Sequence, residues 1–518
     1  MTCNTKRTTR PRHRAIRAAV ALAAAIAILP AARGADARAS DAAQALVARI
    51  DAIIGQPRFD HAAWGIEVVS LDSGRQLYAH RAHRLLQPAS TAKLFTAALV
   101  LDTLGADDRI PTRLLGSGPL RHGRLDGPLI LYGMGDPTLG AADATPDWAE
   151  RLATQLVAHG VRRVHGDLVA DDSYFAGPSI GAGWEAGDLQ AWYAAPASAL
   201  SVDENTVTLT VSPGARAGLP ARLAFEPADA TPPLVDTLDT GAPHSHADIN
   251  LWRAPGGDTL YAFGSMPSGQ PPRHYRLAVT EPARLAGERL RRALAAHGVR
   301  VDGSVRTLHW PQRDAALLAQ AQPLGEVLSP PLGEILARGL KRSQNLYLQN
   351  LLQVAGVRAQ ADAVAAGEPQ AGFTSSADWA LRALRQRLQR IGIAPGTVLL
   401  QEGSGLSRQD LATPATLVRL LQYLAAQPYA AQLRDALPVA GVDGTLQWRL
   451  RDTPAAGNVH AKTGSMTYVD CLAGYVTTAA GEHLAFAIML NDYHRPDDAP
   501  RASADLDAIV ELLAGFRG

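Results

Sequence analysis

A long interval between two serine–lysine segments limits what this chain can fold into more than any other feature. Ser90 lies three residues before Lys93, and Ser343 lies two residues after Lys341, so the two serines are 253 residues apart. A single loop of a compact domain cannot fill this interval, because loops longer than about 15 residues are uncommon. The interval alternates strand-like and helix-like runs, and we therefore expect residues 111–311 to form inserted domains.

The segments on either side of the interval are expected to fold together as one domain. A chain of 518 residues exceeds what one hydrophobic core usually organises. We expect a mixed α/β (α+β) fold with helices on both faces of an antiparallel sheet. A helix over Ser376–Ile391, between a serine cap and Gly392, is typical of the flanking elements. The predicted divisions are a domain from residues 40–110 and 312–518, and an inserted region with two smaller units, about 111–205 with 273–311 and about 206–272.

Residues 1–37 are typical of a secretion signal. A basic head precedes the apolar run Ala18–Leu29, Pro30 breaks that run, and Ala35-Asp36-Ala37 offers a cleavage site. The alternative is an uncleaved anchor, but the run is shorter than the roughly 20 residues that a spanning helix needs. We expect export to the periplasm and no stable membrane anchor after cleavage. Removing the signal leaves a small net negative charge, which gives no electrostatic reason to bind nucleic acid.

Lysine is scarce in this chain, and its positions are informative. The only lysines are Lys6, Lys93, Lys341 and Lys462, and arginine carries the other positive charges. Arginine keeps its proton at any working pH, whereas burial can turn a lysine ammonium into a neutral base. The three internal lysines are therefore candidates for amine chemistry.

The segment from Pro88 to Lys93 opens an apolar stretch that predicts a buried helix. Proline is tolerated in the first helical turn, and residues three apart share a face, so Ser90 and Lys93 would be neighbours. The N–H groups at a helix start favour a developing anion. A desolvated Lys93 could take the Ser90 proton, which is a Ser–Lys form of nucleophilic catalysis. Taken alone, the pattern is weak, because serine is common.

Ser343 and Asn345 lie between two helical segments, where a turn could present both side chains on one side. A hydroxyl there could relay a proton, and an amide could hold a peptide carbonyl. Taken alone, this segment is more simply explained by helix capping, which is the common role of serine and asparagine.

Lys462-Thr463-Gly464-Ser465 ends the first of three predicted antiparallel strands. The lysine and the two hydroxyls could hold a substrate carboxylate, and a glycine lets a ligand approach the backbone closely. This pattern is the most specific of the three.

In this order, Ser-x-x-Lys, Ser-x-Asn and Lys-Thr-Gly resemble the active-site set of penicillin-binding proteins and serine β-lactamases. Within that superfamily, the chain most resembles the D-alanyl-D-alanine carboxypeptidase/endopeptidase family known as penicillin-binding protein 4, peptidase family S13. The resemblance spans roughly residues 45–495. Gln344 departs from it, since the family often has Asp there, as does Leu348-Gln349, where Ala-Glu is usual. Further supporting stretches are Leu131–Leu139, Asp171–Phe175, Ala195–Leu200, Glu402–Ser407 and Gly441–Leu446.

The resemblance implies a transpeptidase-like domain that acts as a serine DD-peptidase. Such an enzyme hydrolyses D-Ala-D-Ala termini and D-Ala crosslinks of peptidoglycan through an acyl-enzyme, and β-lactams acylate it. Its partners would be peptidoglycan stem peptides and, as inhibitors, β-lactam antibiotics. The implied catalytic residues are Ser90 as nucleophile, Lys93 as base and Ser343 as proton relay; the implied substrate-binding residues are Asn345, Lys462, Thr463, Gly464 and Ser465. The backbone N–H groups of Ser90 and Ser465 would form the oxyanion hole.

No cofactor or metal is implied by the resemblance. His244, His246 and Asp248 might bind a metal, but they lie in a polar loop without further spaced ligands. Two alternatives remain open. A serine β-lactamase would need a base for the deacylating water, and the sequence offers no convincing second carboxylate. A non-catalytic cell-wall binding protein on the same fold is disfavoured, because every catalytic side chain is present.

Overall fold

The computed structural model describes residues 41–369 and 372–518. The predicted secretion signal, residues 1–37, lies outside the described residues. Within those two ranges, none of the helices has both the length and the apolar character that crossing a bilayer requires.

The strands of the described residues are numbered in chain order. They are β1 (Ala63–Ser70), β2 (Gln76–His80), β3 (Pro111–Gly116), β4 (Leu120–Arg121), β5 (Arg124–Leu125), β6 (Leu129–Gly133), β7 (Arg163–Val164), β8 (Leu168–Asp171), β9 (Thr206–Ser212), β10 (Arg222–Glu226), β11 (Leu234–Gly241), β12 (Asp248–Arg253), β13 (Leu260–Pro267), β14 (Arg273–Ala278), β15 (Arg300–Val301), β16 (Val305–Leu308), β17 (Gln322–Leu328), β18 (Val398–Leu399), β19 (Leu411–Ala412), β20 (His460–Met466), β21 (Val469–Thr477) and β22 (His483–Asn491).

The helices are numbered in the same way. They are α1 (residues 41–54), α2 (Lys93–Thr103), α3 (Trp148–Ala158), α4 (Pro282–Ala296), α5 (Ala315–Gln320), α6 (Leu332–Lys341), α7 (Asn345–Ala365), α8 (Ser376–Arg390), α9 (Pro414–Ala425), α10 (Ala430–Ala436) and α11 (Ala502–Ala514). The predicted serine cap of α8 is present, because the Ser375 side chain accepts a hydrogen bond from the N–H of Asp378.

One five-stranded antiparallel sheet joins the two parts of the chain that flank the interval. Its order is β2-β1-β22-β21-β20, so the first two strands pair with the last three. The three consecutive strands predicted around Lys462 are β20, β21 and β22. The predicted mixed α/β fold, with an antiparallel sheet between helices, is confirmed.

Both faces of this sheet are buried, and β22 shows how. Phe486 and Ile488 pack into the core that contains residues of α1 and α11. Ala485, Ala487 and Met489 pack into the opposite core, which contains residues of α2 and α6 to α9. Alternate residues of a strand point to opposite faces, so a continuous apolar run such as β22 suits a strand that is covered on both sides.

The helix α2 lies inside the helical layer. Every residue from Lys93 to Leu101 is buried, as expected for a helix that is apolar all round. Lys93, the first residue of α2, is itself completely buried, so its amine lies in an environment with little water.

Strands β3 to β17 form four further sheets in the described part of the chain. A five-stranded sheet, β16-β8-β6-β3-β17, shares a core with α3 and α4. A small sheet, β15-β7-β5-β4, lies in the same region of the chain. Two three-stranded sheets, β10-β9-β14 and β11-β13-β12, pack their apolar residues into a separate small core.

Two strand pairings differ from the predicted divisions. β17 begins at Gln322, beyond the predicted boundary at residue 312, yet it pairs with β3, where Leu328 lies opposite Pro111. β14 begins at Arg273, in a stretch predicted to fold with residues 111–205. It pairs instead with β9, which belongs to the unit predicted for residues 206–272. Both differences have one cause: each strand joins a partner far away in the chain, and no local pattern in a short strand identifies that partner.

Candidate active site

Ser90 lies on a tight turn that leads into α2. A short 3-10 helix, Ala89–Ala92, replaces the first turn of the predicted helix, and α2 continues it from Lys93. Ala89 has a φ of 45°, in the left-handed region, so the chain turns sharply just before Ser90. As a result Ser90 and Lys93 face each other, with Lys93 Nζ 2.8 Å from Ser90 Oγ.

The buried amine of Lys93 contacts three oxygen atoms. Nζ lies 2.6 Å from Asn345 Oδ1, 2.6 Å from the Ser404 carbonyl oxygen and 2.8 Å from Ser90 Oγ. The amide and carbonyl oxygens can only accept hydrogen bonds, whereas the hydroxyl can also donate one. A neutral amine that gives its two hydrogens to Asn345 and Ser404 therefore directs its lone pair at the Ser90 hydroxyl.

The charge state of Lys93 follows from its burial. Loss of hydration lowers the pKa of Lys93 from the ordinary lysine value to about 7, and the neighbouring pair of carboxyl groups, Glu402 and Asp410, partly opposes this by raising it. A lysine with such a pKa is neutral for a large fraction of the time at neutral pH. The arrangement can therefore move a proton from Ser90 Oγ to Lys93 Nζ.

The second segment lies where α6 gives way to α7. Ser343 has a φ of 55° and occupies the turn between the two helices, and Asn345 is the first residue of α7. The Asn345 side chain is held from both ends, because Oδ1 accepts from Lys93 and Nδ2 donates to the Tyr193 carbonyl oxygen at 2.7 Å. Tyr193 belongs to the inserted region, so that region contributes a backbone group to the site.

The third segment supplies a second buried amine. Lys462, on β20, donates from Nζ to Ser343 Oγ at 2.9 Å and to the Thr463 carbonyl oxygen at 2.8 Å. Burial, and then the charge of Lys93, hold the pKa of Lys462 well below the ordinary lysine value. Two hydroxyl–amine pairs, Ser90 with Lys93 and Ser343 with Lys462, thus lie in one site.

The remaining residues of the third segment lie along the same strand. Gly464 packs against the Ser90 turn: a Cβ added there would lie 2.8 Å from the Pro88 carbonyl oxygen and 3.1 Å from the Ser90 nitrogen. The Ser465 hydroxyl donates to Asp470 at 3.2 Å. The Thr463 hydroxyl lies 2.7 Å from that of Thr445, in one of the stretches that resemble the family. All eight residues singled out from the sequence therefore lie at the start of α2, at the start of α7, or on β20.

Replacing Gly464 by alanine is expected to lower the rate of acylation by a β-lactam at least about tenfold. The added methyl would push β20 away from the Ser90 turn, and overpacking of this kind costs about 1–3 kcal/mol. The rate of covalent labelling by a fluorescent penicillin checks this. Gly187→Ala is the control, since a Cβ at Gly187 meets nothing within 4 Å. An unchanged rate for Gly464→Ala would contradict the close packing.

Comparison with known proteins identifies the family. A model described as the D-Ala-D-Ala carboxypeptidase 3 (S13) family matches residues 46–513. The chain belongs to the S13 family. Among S13 relatives, a D-alanyl-D-alanine carboxypeptidase from Actinomadura sp. (strain R39) is 36% identical over 481 residues, which are 90% of this chain and 84% of that protein. The family predicted from the three motifs is confirmed.

Solved structures support the same S13 assignment. Penicillin-binding protein 4 of Haemophilus influenzae is 27% identical and superposes with a TM-score of 0.76, covering 90% of this chain and 97% of that one. The same protein complexed with a β-lactam gives a TM-score of 0.70 at 26% identity, covering 89% and 97% of the two chains. The predicted penicillin-binding fold is therefore confirmed.

A carboxylate from the inserted region of this S13 chain holds the Ser343 turn, and no sequence motif indicates it. Glu204 accepts hydrogen bonds from the Tyr347 hydroxyl at 2.9 Å and from the Gln344 amide at 3.1 Å. Arg342 also faces it, at 3.5 Å. The departure at Gln344 therefore has a local explanation, because an amide can donate to Glu204, whereas an aspartate would repel it.

Truncating Glu204 to alanine is expected to destabilise the protein by about 1–3 kcal/mol, because the buried Tyr347 hydroxyl loses its acceptor. The Ser343 turn would also lose its support, so acylation should slow. A thermal melt and the rate of penicillin labelling measure the two effects. The control is Glu326→Ala, which breaks an exposed ion pair with Arg113 and should change little. Wild-type labelling and melting of Glu204→Ala would contradict this role.

Proposed function

We propose that this S13 protein is a serine D-Ala-D-Ala peptidase in which Ser90 is the nucleophile and Lys93 is its base. One observation carries the proposal: of the three oxygen atoms in contact with the Lys93 amine, only the Ser90 hydroxyl oxygen carries a hydrogen that it can donate. The S13 match and the carboxypeptidase relative support D-Ala-D-Ala as the substrate class.

The proposed acylation starts with a proton transfer. As Ser90 Oγ attacks the carbonyl carbon of the penultimate D-Ala, its proton passes to the Lys93 lone pair. The C–O bond forms, and the carbonyl oxygen becomes an oxyanion. We assign its stabilisation to the backbone N–H groups of Ser90 and Ser465, and one such donor is typically worth about 2.7–4 kcal/mol in the transition state.

Loss of the terminal D-Ala completes the first half of the reaction. Ser343 donates a proton to the leaving nitrogen as the C–N bond breaks, and the proton that Lys93 took from Ser90 passes through Lys462, whose amine contacts Ser343 Oγ, to replace it. Lys93 is thereby neutral again before the second step. The Thr463 and Ser465 hydroxyls bind the carboxylate of the leaving residue, and Asn345 orients the peptide. Water then hydrolyses the ester of Ser90, with Lys93 as base for the second step.

A β-lactam would enter the same sequence. Its amide carbonyl replaces the peptide carbonyl, and the existence of a β-lactam complex of the Haemophilus influenzae protein supports β-lactam binding. We propose that β-lactams acylate Ser90 and that the adduct is long-lived. Rapid deacylation, as in a β-lactamase, needs a free carboxylate to activate water. Glu402, a buried carboxylate that interacts with Lys93, has both oxygens occupied by groups of its own loop.

We further propose that the enzyme cleaves D-Ala crosslinks as well as D-Ala termini of peptidoglycan. The acyl group is the same in both substrates, and only the leaving amine differs. The assigned catalytic groups act on the acyl carbon and on the leaving nitrogen, and neither action requires that nitrogen to belong to a free amino acid.

We also propose that residues 1–37 direct the protein to the periplasm, where it reaches peptidoglycan, and that they are then removed. Amino-terminal sequencing of the protein recovered from a periplasmic extract tests this. A mature chain that starts after Ala37 is the expected result, and an intact first residue would contradict it.

Digestion of purified peptidoglycan, followed by mass spectrometry of the products, tests the function. Release of free D-Ala is expected from the carboxypeptidase activity, and a loss of crosslinked fragments from the endopeptidase activity. Fast turnover of penicillin would favour the β-lactamase alternative instead. Absence of any penicillin adduct would favour a non-catalytic cell-wall binding protein.

A further inference from the structure

A buried carboxylate is enclosed by the loop that supplies one acceptor to Lys93. Glu402 is completely buried, at 0% exposure. One of its oxygens accepts from the N–H and the hydroxyl of Ser404, at 2.7 and 2.6 Å. The other accepts from the N–H groups of Gly405 and Leu406, at 2.5 and 2.9 Å. Several donors around one carboxylate are the surroundings that stabilise an anion.

A second carboxyl group, Asp410, lies beside Glu402. Asp410 is also completely buried, and its Oδ1 accepts from the Gln401 N–H at 2.7 Å. Its Oδ2 has no hydrogen-bond partner among the described residues, and the Asp410 carboxyl group interacts with that of Glu402. Two ionised carboxylates in contact repel each other, so one proton must lie between them.

The proton belongs to Asp410. Burial and the charge of Glu402 raise the pKa of Asp410 well above its ordinary value, whereas Glu402 has its own set of N–H donors. A protonated Asp410 Oδ2 can donate to Glu402, which satisfies the atom that otherwise lacks a partner. The pair therefore carries one negative charge, and this charge lies on Glu402.

This charge is linked to Lys93 through Ser404. The N–H of Ser404 donates to Glu402, while its carbonyl oxygen accepts from Lys93 Nζ at 2.6 Å. The loop is also anchored at Gly403, whose N–H donates to Gln349 and whose carbonyl accepts from Thr96. A shift of Glu402 would therefore shift an acceptor of the Lys93 amine.

We propose that Glu402 is a positioning residue for Lys93, with Asp410 as its protonated partner. Glu402 keeps the Ser404 carbonyl on the amine, so that the lone pair faces Ser90, and it offsets the positive charge that Lys93 gains when it takes the Ser90 proton. The inference rests on the proposed function, in which Lys93 is the base.

The other charged groups near Lys93 are few. Lys462, on β20, is a second cation close to Lys93. Arg408, on the same loop as Glu402, binds Glu185 through Nε at 3.2 Å and also contacts Gln87. Of these groups, Glu402 is the anion that offsets a positive Lys93.

The test is the pH profile of acylation by a fluorescent penicillin, measured between pH 5 and 9 for the full chain. In the wild type, the rate rises with pH as Lys93 loses its proton. Glu402→Gln removes the anion that favours the ammonium, so the acid limb should move to lower pH by about one unit, and the rate on the plateau should fall at least tenfold. Glu402→Asp restores the charge on a shorter side chain and should return the limb towards the wild-type position. A purely structural role of Glu402 would lower the rate without moving the limb.

Asp410→Asn distinguishes the role of Asp410 from that of Glu402, because an amide at position 410 can donate to Glu402 without carrying charge. Its acid limb should stay where the wild type has it. Glu185→Gln is the control: it removes an exposed carboxylate that binds Arg408 on this loop, and it should change neither limb nor rate.

Three results would overturn the inference. They are a Glu402→Gln limb at the wild-type pH, a Glu402→Asp limb that stays with that of Glu402→Gln, and an Asp410→Asn limb that moves down instead. If Glu402→Gln does not fold, an Asp410→Asn limb that moves down still overturns the inference. A wild type without a penicillin adduct would instead contradict the proposed function, so the two failures are distinguishable.

Discussion

Ser90→Ala should give a folded protein that forms no covalent adduct with penicillin and releases no D-Ala from peptidoglycan. The variant lacks the hydroxyl group that donates its proton to the Lys93 lone pair and then attacks the substrate, so no acyl-enzyme can form. Loss of a serine nucleophile costs about a millionfold in turnover. Intact-protein mass spectrometry after incubation with penicillin measures the adduct directly.

The fold should survive this change. The Ser90 side chain makes its contact with Lys93, and the turn around it is held by backbone hydrogen bonds, such as that from the Thr91 N–H to the Pro88 carbonyl. A thermal melt close to that of the wild type is therefore expected. Ser73→Ala, in the turn after β1, is the control and should label normally. A penicillin adduct in Ser90→Ala would refute the assignment of the nucleophile.

Lys93→Arg should be nearly inactive although it keeps a positive charge. A guanidinium does not lose its proton at any working pH and cannot act as a base. Loss of a general base typically costs about 10²–10⁴-fold. The wild-type rate should rise with pH through about 7, the pKa to which burial lowers Lys93, because the neutral amine is the active form. The arginine variant should show no such rise.

Lys341→Arg is the matched control for that experiment. Lys341 binds Asp443 at 2.5 Å on the partly exposed side of the Ser343 turn, and arginine can make the same ion pair. Its acylation should stay close to the wild-type rate. If Lys93→Arg acylates at near-normal rates at neutral pH while keeping its fold, Lys93 is not the base.

The parts of the site that depend on local spacing could be predicted from the sequence. A separation of three residues at a helix start brings Ser90 to Lys93, and the apolar runs after Lys462 predict three paired strands. The helical start was only partly right, since a 3-10 helix precedes α2 and Ala89 has a positive φ. Nothing in the composition of that segment signals the sharper turn.

The parts that depend on distant contacts could not be predicted. Glu204 reaches the Ser343 turn from more than 130 residues away, and the Ser404 carbonyl that holds Lys93 is a backbone group with no sequence signature. The stretch Glu402–Ser407 contributed to the family resemblance, but only the structure shows that Glu402 is enclosed by N–H groups. Burial, not residue type, distinguishes this carboxylate from most others in the chain.

The sheet order β2-β1-β22-β21-β20 also governs when the domain can fold. Gln87 and Asn491 are in hydrogen-bond contact although they lie 404 residues apart, and β1 pairs along its whole length with β22. On a growing polypeptide, β1 leaves the ribosome hundreds of residues before β22 exists. Throughout that time the edge of β1 that β22 will cover has no partner strand. Such long-range closure is slow, because the entropy of a large loop is lost before the contacts form. The sheet that borders the Ser90 turn is therefore completed only after β22 has been synthesised, and until then its exposed apolar strands favour aggregation.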